Sequence, residues 1–245
     1  MLYIVLPAYN EEKDLPLLLD DIYKLRLEIP YKIIIVNDGS TDATASILMD
    51  YEHRHKNVVV IHHEQNKGLS GALLTGFNHV LTHKRLNQSE GLSSYKDSFD
   101  VVITLDADNT HPPDRIPLLI EGIKNGADIV IASRFVDGGE QHGLGLIRRL
   151  LSWGAGRVMR FFFPMAEVRD YSCGYRAYRL SVLERGMQSY KDTFIESSGF
   201  AGMVELLIKL APISDKIKEI PLSLHYERKC GMSKMKIFQT IKGYI

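Results

Sequence analysis

The chain has 245 residues, of which 45% are hydrophobic and 24% charged, proportions that exclude a largely disordered protein. Basic and acidic residues number 30 each, so the formal net charge is zero, and a nucleic-acid-binding protein is not indicated. The two cysteines form neither a metal-binding spacing nor a disulfide framework, and no apolar run reaches the roughly 18 residues that span a bilayer.

Strand and helix signals alternate through the first half of the chain. Runs of aliphatic residues predict strands at Tyr3–Leu6, Lys32–Val36, Val58–Ile61, Val101–Leu105 and Asp128–Ala132. Apolar residues at helical spacing predict helices at Leu15–Ile22, after Asp42 to about Arg54, at Gly68 to about Leu81, and at Ile116–Ile123. The polar stretch Lys84–Ser98 is predicted to be a surface loop. Repeated βα units predict an α/β fold with a mainly parallel sheet flanked by helices.

The pattern changes after Ser133. Residues 134–185 contain nine arginines and no lysine, which favours bidentate recognition of phosphate. The segment Leu146–Phe163 mixes arginines with aromatic residues, so it is either an amphipathic helix in a membrane interface or a core helix with arginines reaching solvent. Further along, Ile217–Tyr226 predicts a strand, Glu227–Lys236 a polar loop, and Ile237–Ile245 the start of a helix.

Two carboxylates, Asp106 and Asp108, follow the fourth predicted strand directly. Its five β-prone residues are typical of a strand buried on both faces, and open α/β sheets bind ligands at the carboxyl ends of their strands. Carboxylates two residues apart can hold one Mg²⁺ or Mn²⁺ ion that bridges a diphosphate. A helix N-cap is the alternative, because Pro112-Pro113 opens a helix, but a cap needs only one aspartate.

Four polar segments follow predicted strands and therefore lie at one edge of the predicted sheet. In this order they resemble the GT-A fold glycosyltransferases of the large family two, over about the first 135 residues. The segments are Leu6–Glu12, Val36–Asp42, Leu105–Asp108 and Ala132–Arg134.

The second half of the chain looks like the dolichyl-phosphate mannose synthase group, so the resemblance covers nearly the whole sequence. The segments that carry it are Gly138-Gly139, Ile147–Ala155, Asp170–Arg179, Ile220–Leu222 and Arg228–Lys234. Enzymes of this group move a sugar from a nucleotide to a polyprenyl phosphate. The resemblance implies an inverting transfer of a hexose, from GDP-mannose or UDP-glucose, to dolichyl or undecaprenyl phosphate, which gives a β-linked product.

The resemblance also implies roles for individual residues. Asp106 and Asp108 match the pair that holds Mg²⁺ or Mn²⁺, and Thr110 stands where relatives often have a glutamine, followed by His111. The implied donor-binding residues are Pro7, Tyr9, Glu11, Asp38 and Asp106. The implied acceptor-binding residues are Arg134, Arg148, Ser152, Arg228 and Lys234. The implied catalytic residues are Asp108, Arg134, Arg148 and Arg228.

The implied architecture is a single GT-A catalytic domain over residues 1–245. Residues 1–135 would bind the nucleotide sugar, and residues 136–245 would bind the acceptor and carry C-terminal amphipathic helices that face the membrane. Because a polyprenyl phosphate lies in a membrane, we expect the chain at a membrane surface, on its cytoplasmic face. The sequence stops within a helical pattern at Gly243–Ile245, so we also expect a membrane-anchoring partner or a further transmembrane segment.

Three alternative functions make different demands on the sequence. A family-two transferase with a polysaccharide hydroxyl acceptor would need a carboxylate base, for which Glu196, Glu205 and Glu219 are the candidates. A nucleotidyltransferase would need a glycine-rich phosphate loop after the first strand, which Ala8–Glu11 is not. A non-catalytic nucleotide-sugar-binding membrane scaffold would show no turnover.

Overall fold

The computed structural model describes residues 1–89, 99–143 and 145–230. Within these ranges the chain forms nine strands and seven α-helices. The strands are β1 Leu2–Ala8, β2 Tyr31–Asn37, β3 Val58–His62, β4 Val101–Thr104, β5 Ile129–Ser133, β6 Glu140–His142, β7 Arg176–Arg179, β8 Ile217–Pro221 and β9 Ser223–His225. The α-helices are α1 Leu15–Lys24, α2 Thr44–Arg54, α3 Gly68–Ser89, α4 Ile116–Lys124, α5 Leu146–Phe162, α6 Leu180–Tyr190 and α7 Phe200–Leu210.

Seven of the described strands form one sheet, in the order β3-β2-β1-β4-β7-β5-β8. Strands β1 to β4 pair in parallel, as do β5 and β8, whereas β7 lies antiparallel between β4 and β5. Strands β6 and β9 form a separate parallel pair. The predicted α/β class with a mainly parallel sheet is therefore confirmed.

The core lies between the central strands and the helices that cover them. The predicted helical periodicity is confirmed on α1, where Leu15, Leu18, Leu19 and Ile22 are fully buried. Helix α3 approaches β1 closely, because a Cβ atom at Gly76 would lie 2.5 Å from Cγ1 of Val5. No helix within the described ranges is both long enough and apolar enough to cross a membrane.

The third helix is longer than predicted, and the expected loop over residues 84–98 is wrong for its first part. Helix α3 continues to Ser89, because Lys84, Arg85 and Leu86 are good helix formers. Lys84 also pairs with Glu184 on α6 at 3.6 Å. Residues 90–98 lie outside the described part of the chain.

The single strand predicted over Ile217–Tyr226 is also wrong, since the segment forms β8 and β9 in two different sheets. Strand β8 ends at Pro221, which has no N–H to donate to a neighbouring strand. The next residue, Leu222, is fully buried and donates its N–H to the carbonyl of Ser133 at 2.9 Å. The helix predicted over Ile237–Ile245 lies outside the described residues.

Strand β7 was not predicted. It places Arg176 in the core with no exposed surface, an unusual position for a charged side chain. The guanidinium group donates to the backbone carbonyls of Met203 and Tyr171 at 2.8 and 2.6 Å. Local hydrophobic periodicity does not reveal such a strand, because a charged residue takes a buried position and the neighbouring strands, β4 and β5, are distant in sequence.

Candidate active site

The site lies at the edge of the sheet where β1, β2, β4 and β5 end. The loops after β1 and β2 are joined side by side, because Thr41 donates its N–H to Oδ1 of Asn10 at 2.7 Å. The N–H of Glu11 likewise bonds Oγ1 of Thr44 at 2.8 Å. Of the residues expected to bind the donor, Tyr9 is exposed and Glu11 is buried on this edge.

Asp38, one of the residues expected to bind the donor, is buried just after β2. Its Oδ1 atom lies 2.7 Å from Nδ1 of His63 and accepts the N–H of Lys67 at 2.8 Å. Gly39 makes this arrangement possible, because its φ is +70° and a Cβ atom there would lie 2.7 Å from the backbone nitrogen of Asn66. Hydrogen bonds thus connect the two loops, His63 and Lys67 next to the end of β1.

Asp106, Asp108 and His111 form a compact acidic cluster just after β4. One ligand atom from each of the three lies within 4.8 Å of the others. Thr110 donates its hydroxyl to Oδ1 of Asp108 at 2.6 Å and its N–H to the same atom at 3.2 Å. Asn109 adopts a φ of +58°, a left-handed conformation that Asn tolerates better than most residues, and so turns the chain back toward Asp108.

The two carboxylates of this cluster differ in their proton affinity. Burial raises the pKa of Asp106, although His111 opposes this effect. Burial also acts on Asp108, but the adjacent ammonium group of Lys229 and the imidazole of His111 outweigh it and hold the pKa of Asp108 below its usual value. Nζ of Lys229 lies 2.7 Å from Oδ2 of Asp108. A cation therefore already compensates one of the two acids.

These residues fit a divalent cation. Carboxylates are the ligands that Mg²⁺ and Mn²⁺ prefer, and His111 offers a ring nitrogen as a third ligand atom. The pKa of the partly buried Asp106 carboxylate is raised, and a bound cation would lower it. Thr110 occupies the position where relatives often have a glutamine, but its hydroxyl is committed to Asp108.

Arg134, expected to hold the acceptor phosphate, is almost fully buried against Asp170. Its Nε and Nη2 atoms donate to the two carboxylate oxygens of Asp170, each at 2.7 Å, and Nη2 also contacts Oγ of Ser172 at 2.8 Å. Burial would raise the pKa of Asp170, but this bidentate pair holds the pKa below its usual range. Within the described residues, Nη1 of Arg134 has no hydrogen-bond partner.

The turn after β9 closes one side of the site. In this 3₁₀ turn, Tyr226–Arg228, the guanidinium group of Arg228 donates to Oδ2 of Asp21 on α1 at 2.7 Å. The N–H of Cys230 bonds Oδ1 of Asp14 at 2.8 Å. Arg228 thus contacts α1 rather than the acidic cluster, whereas the neighbouring Lys229 contacts Asp108 directly.

Three expected acceptor residues have no described side chain. Arg148 and Ser152 lie on α5, where only the backbone path is described at their positions, and Lys234 lies outside the described residues. Their roles stay predictions.

Sequence reasoning assigned no role to three residues that the structure places at the site. His111 could have been found from its position three residues after Asp108, a spacing that a turn can bring to one ion. Lys229 and Asp170 had no local signal, because their partners Asp108 and Arg134 are 121 and 36 residues away in sequence.

The fold and the acidic edge of the sheet define a protein with the GT-A fold. A solved structure with this fold is glucosyl-3-phosphoglycerate synthase from Mycobacterium tuberculosis, in complex with Mn²⁺, UDP and glucosyl-3-phosphoglycerate. It superposes with a TM-score of 0.61 over 100% of this chain and 76% of its own, at 19% identity.

Two curated relatives are more similar in sequence. Undecaprenyl-phosphate mannosyltransferase of Micrococcus luteus is 31% identical over 94% of this chain and 86% of its own length. Dolichol-phosphate mannosyltransferase of Pyrococcus furiosus is 33% identical over 95% of this chain, which spans 58% of that relative. The model of glycosyl transferase family 2 matches residues 3–187, and the chain belongs to this family.

Proposed function

We propose that this protein transfers a hexose, mannose or glucose, from a nucleotide sugar to a polyprenyl phosphate. The observation that carries the proposal is the partly buried Asp106/Asp108 pair at the edge of the sheet, beside the Arg134–Asp170 pair. The names of the curated relatives support the acceptor, since both act on a polyprenyl phosphate.

The donor would lie across the ends of β1, β2 and β4. Pro7, Tyr9, Glu11 and Asp38 would hold the nucleotide, and Asp106 and Asp108 would hold a Mg²⁺ or Mn²⁺ ion next to its diphosphate. When bound, such an ion neutralises the negative charge that develops on the departing nucleotide. Lys229, whose ammonium group donates to Oδ2 of Asp108, would compete with that ion for the negative charge of the carboxylate.

The acceptor would need no catalytic base. A phosphate monoester is largely ionised at pH 7, because its second pKa is about 6. Arg134 would use its free Nη1 to position the phosphate while Asp170 fixes its guanidinium plane. Arg148, Ser152, Arg228 and Lys234 are the other proposed phosphate contacts, and Arg228 would exchange Asp21 for the phosphate. The main contribution of these residues is orientation for attack on the anomeric carbon.

A single displacement inverts the anomeric carbon, so an α-linked donor would give a β-linked polyprenyl-phosphate sugar. NMR of the product tests this proposal directly, and an α-linked product would contradict it. We also propose that residues 1–135 bind the donor and 136–245 the acceptor, and that the protein works at the cytoplasmic face of a membrane, where its acceptor lies.

Each of the three carboxylates considered as a base for the competing hydroxyl-acceptor reaction is engaged through at least one oxygen, although the buried Oε2 atom of Glu219 has no hydrogen-bond partner among the described residues. Glu205 accepts the N–H groups of Glu196 and Ser197 and binds Lys209, which also lies 3.3 Å from Glu196. Oε1 of Glu219 accepts the backbone N–H groups of Arg169 and Asp170 at 2.8 and 2.7 Å. No specific contact in the described structure favours that second function.

The decisive experiment measures transfer of radiolabelled sugar from a panel of nucleotide sugars to a short polyprenyl phosphate, with Mn²⁺, with Mg²⁺ or with EDTA. Asp108→Ala should lower turnover more than about 100-fold, because it removes a direct ligand of the ion. The matched control is Asp114→Ala, an exposed acid paired with Arg115. Hydrolysis of the donor without lipid transfer would contradict the proposed acceptor, and no turnover with any donor would contradict the proposed enzyme.

A further inference from the structure

A second candidate binding site lies on α5, away from the acidic cluster. A pocket of about 380 Å³ opens between this helix and the segments that flank β5 and β7. Its lining residues are Phe135, Trp153, Gly156, Arg157, Arg160 and Arg169. None of the residues that form the acidic cluster after β4 contributes to it.

The pocket is strongly cationic. Its three arginines, Arg157, Arg160 and Arg169, have no carboxylate within ion-pair distance among the described residues. The guanidinium group of Arg157 lies 4.6 Å from the ring centroid of Trp153, and Arg169 donates a long bond of 3.4 Å to the carbonyl of Phe135. Three arginines around one pocket favour an anion, and their planar donor groups suit phosphate.

Large apolar side chains are exposed on the same helix. Phe161 is 81% exposed and Phe162 is 66% exposed, with Trp153 at 51%, Val158 at 49% and Phe163, just after the helix, at 40%. Arginines interleaved with exposed aromatic residues are typical of a helix that lies in the plane of a membrane interface. The aromatic side chains have no role in binding a free phosphate ion, so they point to a ligand with both a phosphate and an apolar part.

The charge of residues 231–245 argues against the binding of this C-terminal segment in the pocket. Residues 231–245 contain Lys234, Lys236 and Lys242 and no acid, so they would repel the three arginines. We propose that this pocket binds the phosphate of an anionic membrane phospholipid while Phe161 and Phe162 insert between the lipids. This phospholipid site goes beyond the proposed transfer reaction, and it adjoins the proposed acceptor site, since Cζ of Arg134 lies 5.2 Å from the ring centroid of Phe135.

Trp153 makes the proposal directly measurable, because it is the single tryptophan of the chain and lines the pocket. The experiment follows its fluorescence and the sedimentation of the full chain with vesicles, without donor or metal. We expect a blue shift and co-sedimentation with phosphatidylcholine vesicles that contain phosphatidylglycerol, weakened by salt. The other arms are phosphatidylcholine alone, inorganic phosphate, and phosphatidylcholine with polyprenyl phosphate.

The charge of the pocket is tested with Arg157→Gln/Arg160→Gln, which should weaken binding to anionic vesicles roughly 25-fold, since each arginine near an anionic surface contributes about fivefold. The matched control is Arg26→Gln/Arg85→Gln, which removes the same charge from two exposed arginines elsewhere. The affinity of this control for anionic vesicles should stay within about twofold of that of the unchanged protein.

The proposed insertion of the two phenylalanines between the lipids is tested with Phe161→Ser/Phe162→Ser, which should weaken vesicle binding more than about tenfold. Its control is Leu17→Ser/Met49→Ser, at two exposed apolar positions on α1 and α2. All four side-chain pairs are exposed, so circular dichroism and thermal unfolding should show a folded protein in each case.

Three results would overturn the proposal. Equal binding to phosphatidylcholine alone would show an apolar contact without headgroup recognition. The same blue shift with inorganic phosphate alone would show a site for free phosphate. Binding only when polyprenyl phosphate is present would assign the pocket to the acceptor. Because no arm requires turnover, this experiment and the transfer assay can fail independently.

Discussion

At the scale of single residues, Lys229 and Asp170 determine the charge balance of the site. Lys229 pairs with Asp108, and both side chains are largely buried. The ammonium group therefore compensates the negative charge of the carboxylate. Asp170, which has no exposed surface, compensates the positive charge of the Arg134 guanidinium group. The two pairs differ in function, because the first lies where a divalent cation fits and the second only orients an arginine.

Replacing Lys229 by methionine should strengthen Mn²⁺ binding. The substitution removes a positive charge that competes for Oδ2 of Asp108, so we expect roughly tenfold tighter binding, or about 1.4 kcal/mol. Electron paramagnetic resonance of free Mn²⁺ measures this affinity without turnover. Lys56→Met, at an exposed lysine, is the control, and unchanged or weaker binding in Lys229→Met would contradict the competition.

Asp170→Asn should destabilise the fold by about 3–5 kcal/mol, because it leaves the buried guanidinium group of Arg134 without its charge partner. Urea unfolding measures this change, and Asp114→Asn, which removes an exposed pair, should cost at most about 1 kcal/mol. The pKa of Asp170 is held below its ordinary value of 3.8, so the pair contributes fully above that pH and its contribution is lost as pH falls through the lowered pKa. Equal losses of unfolding free energy in Asp170→Asn and Asp114→Asn would contradict the stabilising role of the buried pair.

At the scale of elements, two helix glycines have opposite surroundings. Gly76 lets α3 approach β1, where a Cβ atom would lie 2.5 Å from Cγ1 of Val5. Gly154 lies inside α5, and a Cβ atom there would meet no described atom within 4 Å. Close packing explains the first glycine, whereas the second only lowers the stability of its helix.

Alanine at these two positions should therefore change stability in opposite directions. We expect Gly76→Ala to cost about 1–3 kcal/mol through overpacking against Val5. Gly154→Ala should gain about 0.5–1 kcal/mol through helix propensity. Urea unfolding of both variants checks the pair, and a loss of similar size in Gly154→Ala would indicate a contact that the described residues do not provide.

At the scale of the whole molecule, the parallel sheet assembles the site from distant parts of the chain. Strands β1, β2, β4 and β5 end at one edge, and the turn after β9 brings Lys229 to Asp108 across that edge. Binding at this edge therefore contacts loops from nearly the full length of the described chain, so it should be linked to global unfolding.

A nucleoside diphosphate with Mn²⁺ should raise the melting temperature of the protein. At a ligand concentration 100 times the dissociation constant, binding adds about 2.7 kcal/mol, which corresponds to about 5–10 °C for a chain of this size. Differential scanning fluorimetry with UDP and with GDP measures the shift and ranks the two bases. Asp106→Asn should reduce the shift, and a full shift in that variant would contradict the metal-linked site.

The sequence by itself determined the parts of this protein that local patterns encode. Alternating apolar runs predicted the βα units, and the position of Asp106 and Asp108 after a strongly apolar strand predicted an acidic edge of the sheet. These signals are local, because hydrophobic periodicity and composition are properties of a few neighbouring residues. Four polar segments in order were enough to indicate the family that the matched residues 3–187 confirm.

Only the tertiary structure decided the partners of those residues. It inserted β7 antiparallel between β4 and β5, divided the segment after Lys216 at Pro221, and paired Asp108 with Lys229 and Arg134 with Asp170. Each of these features joins positions tens to more than a hundred residues apart or depends on which edge of the sheet a segment reaches. No local pattern contains that information, because contacts between distant residues exist only once the chain has folded.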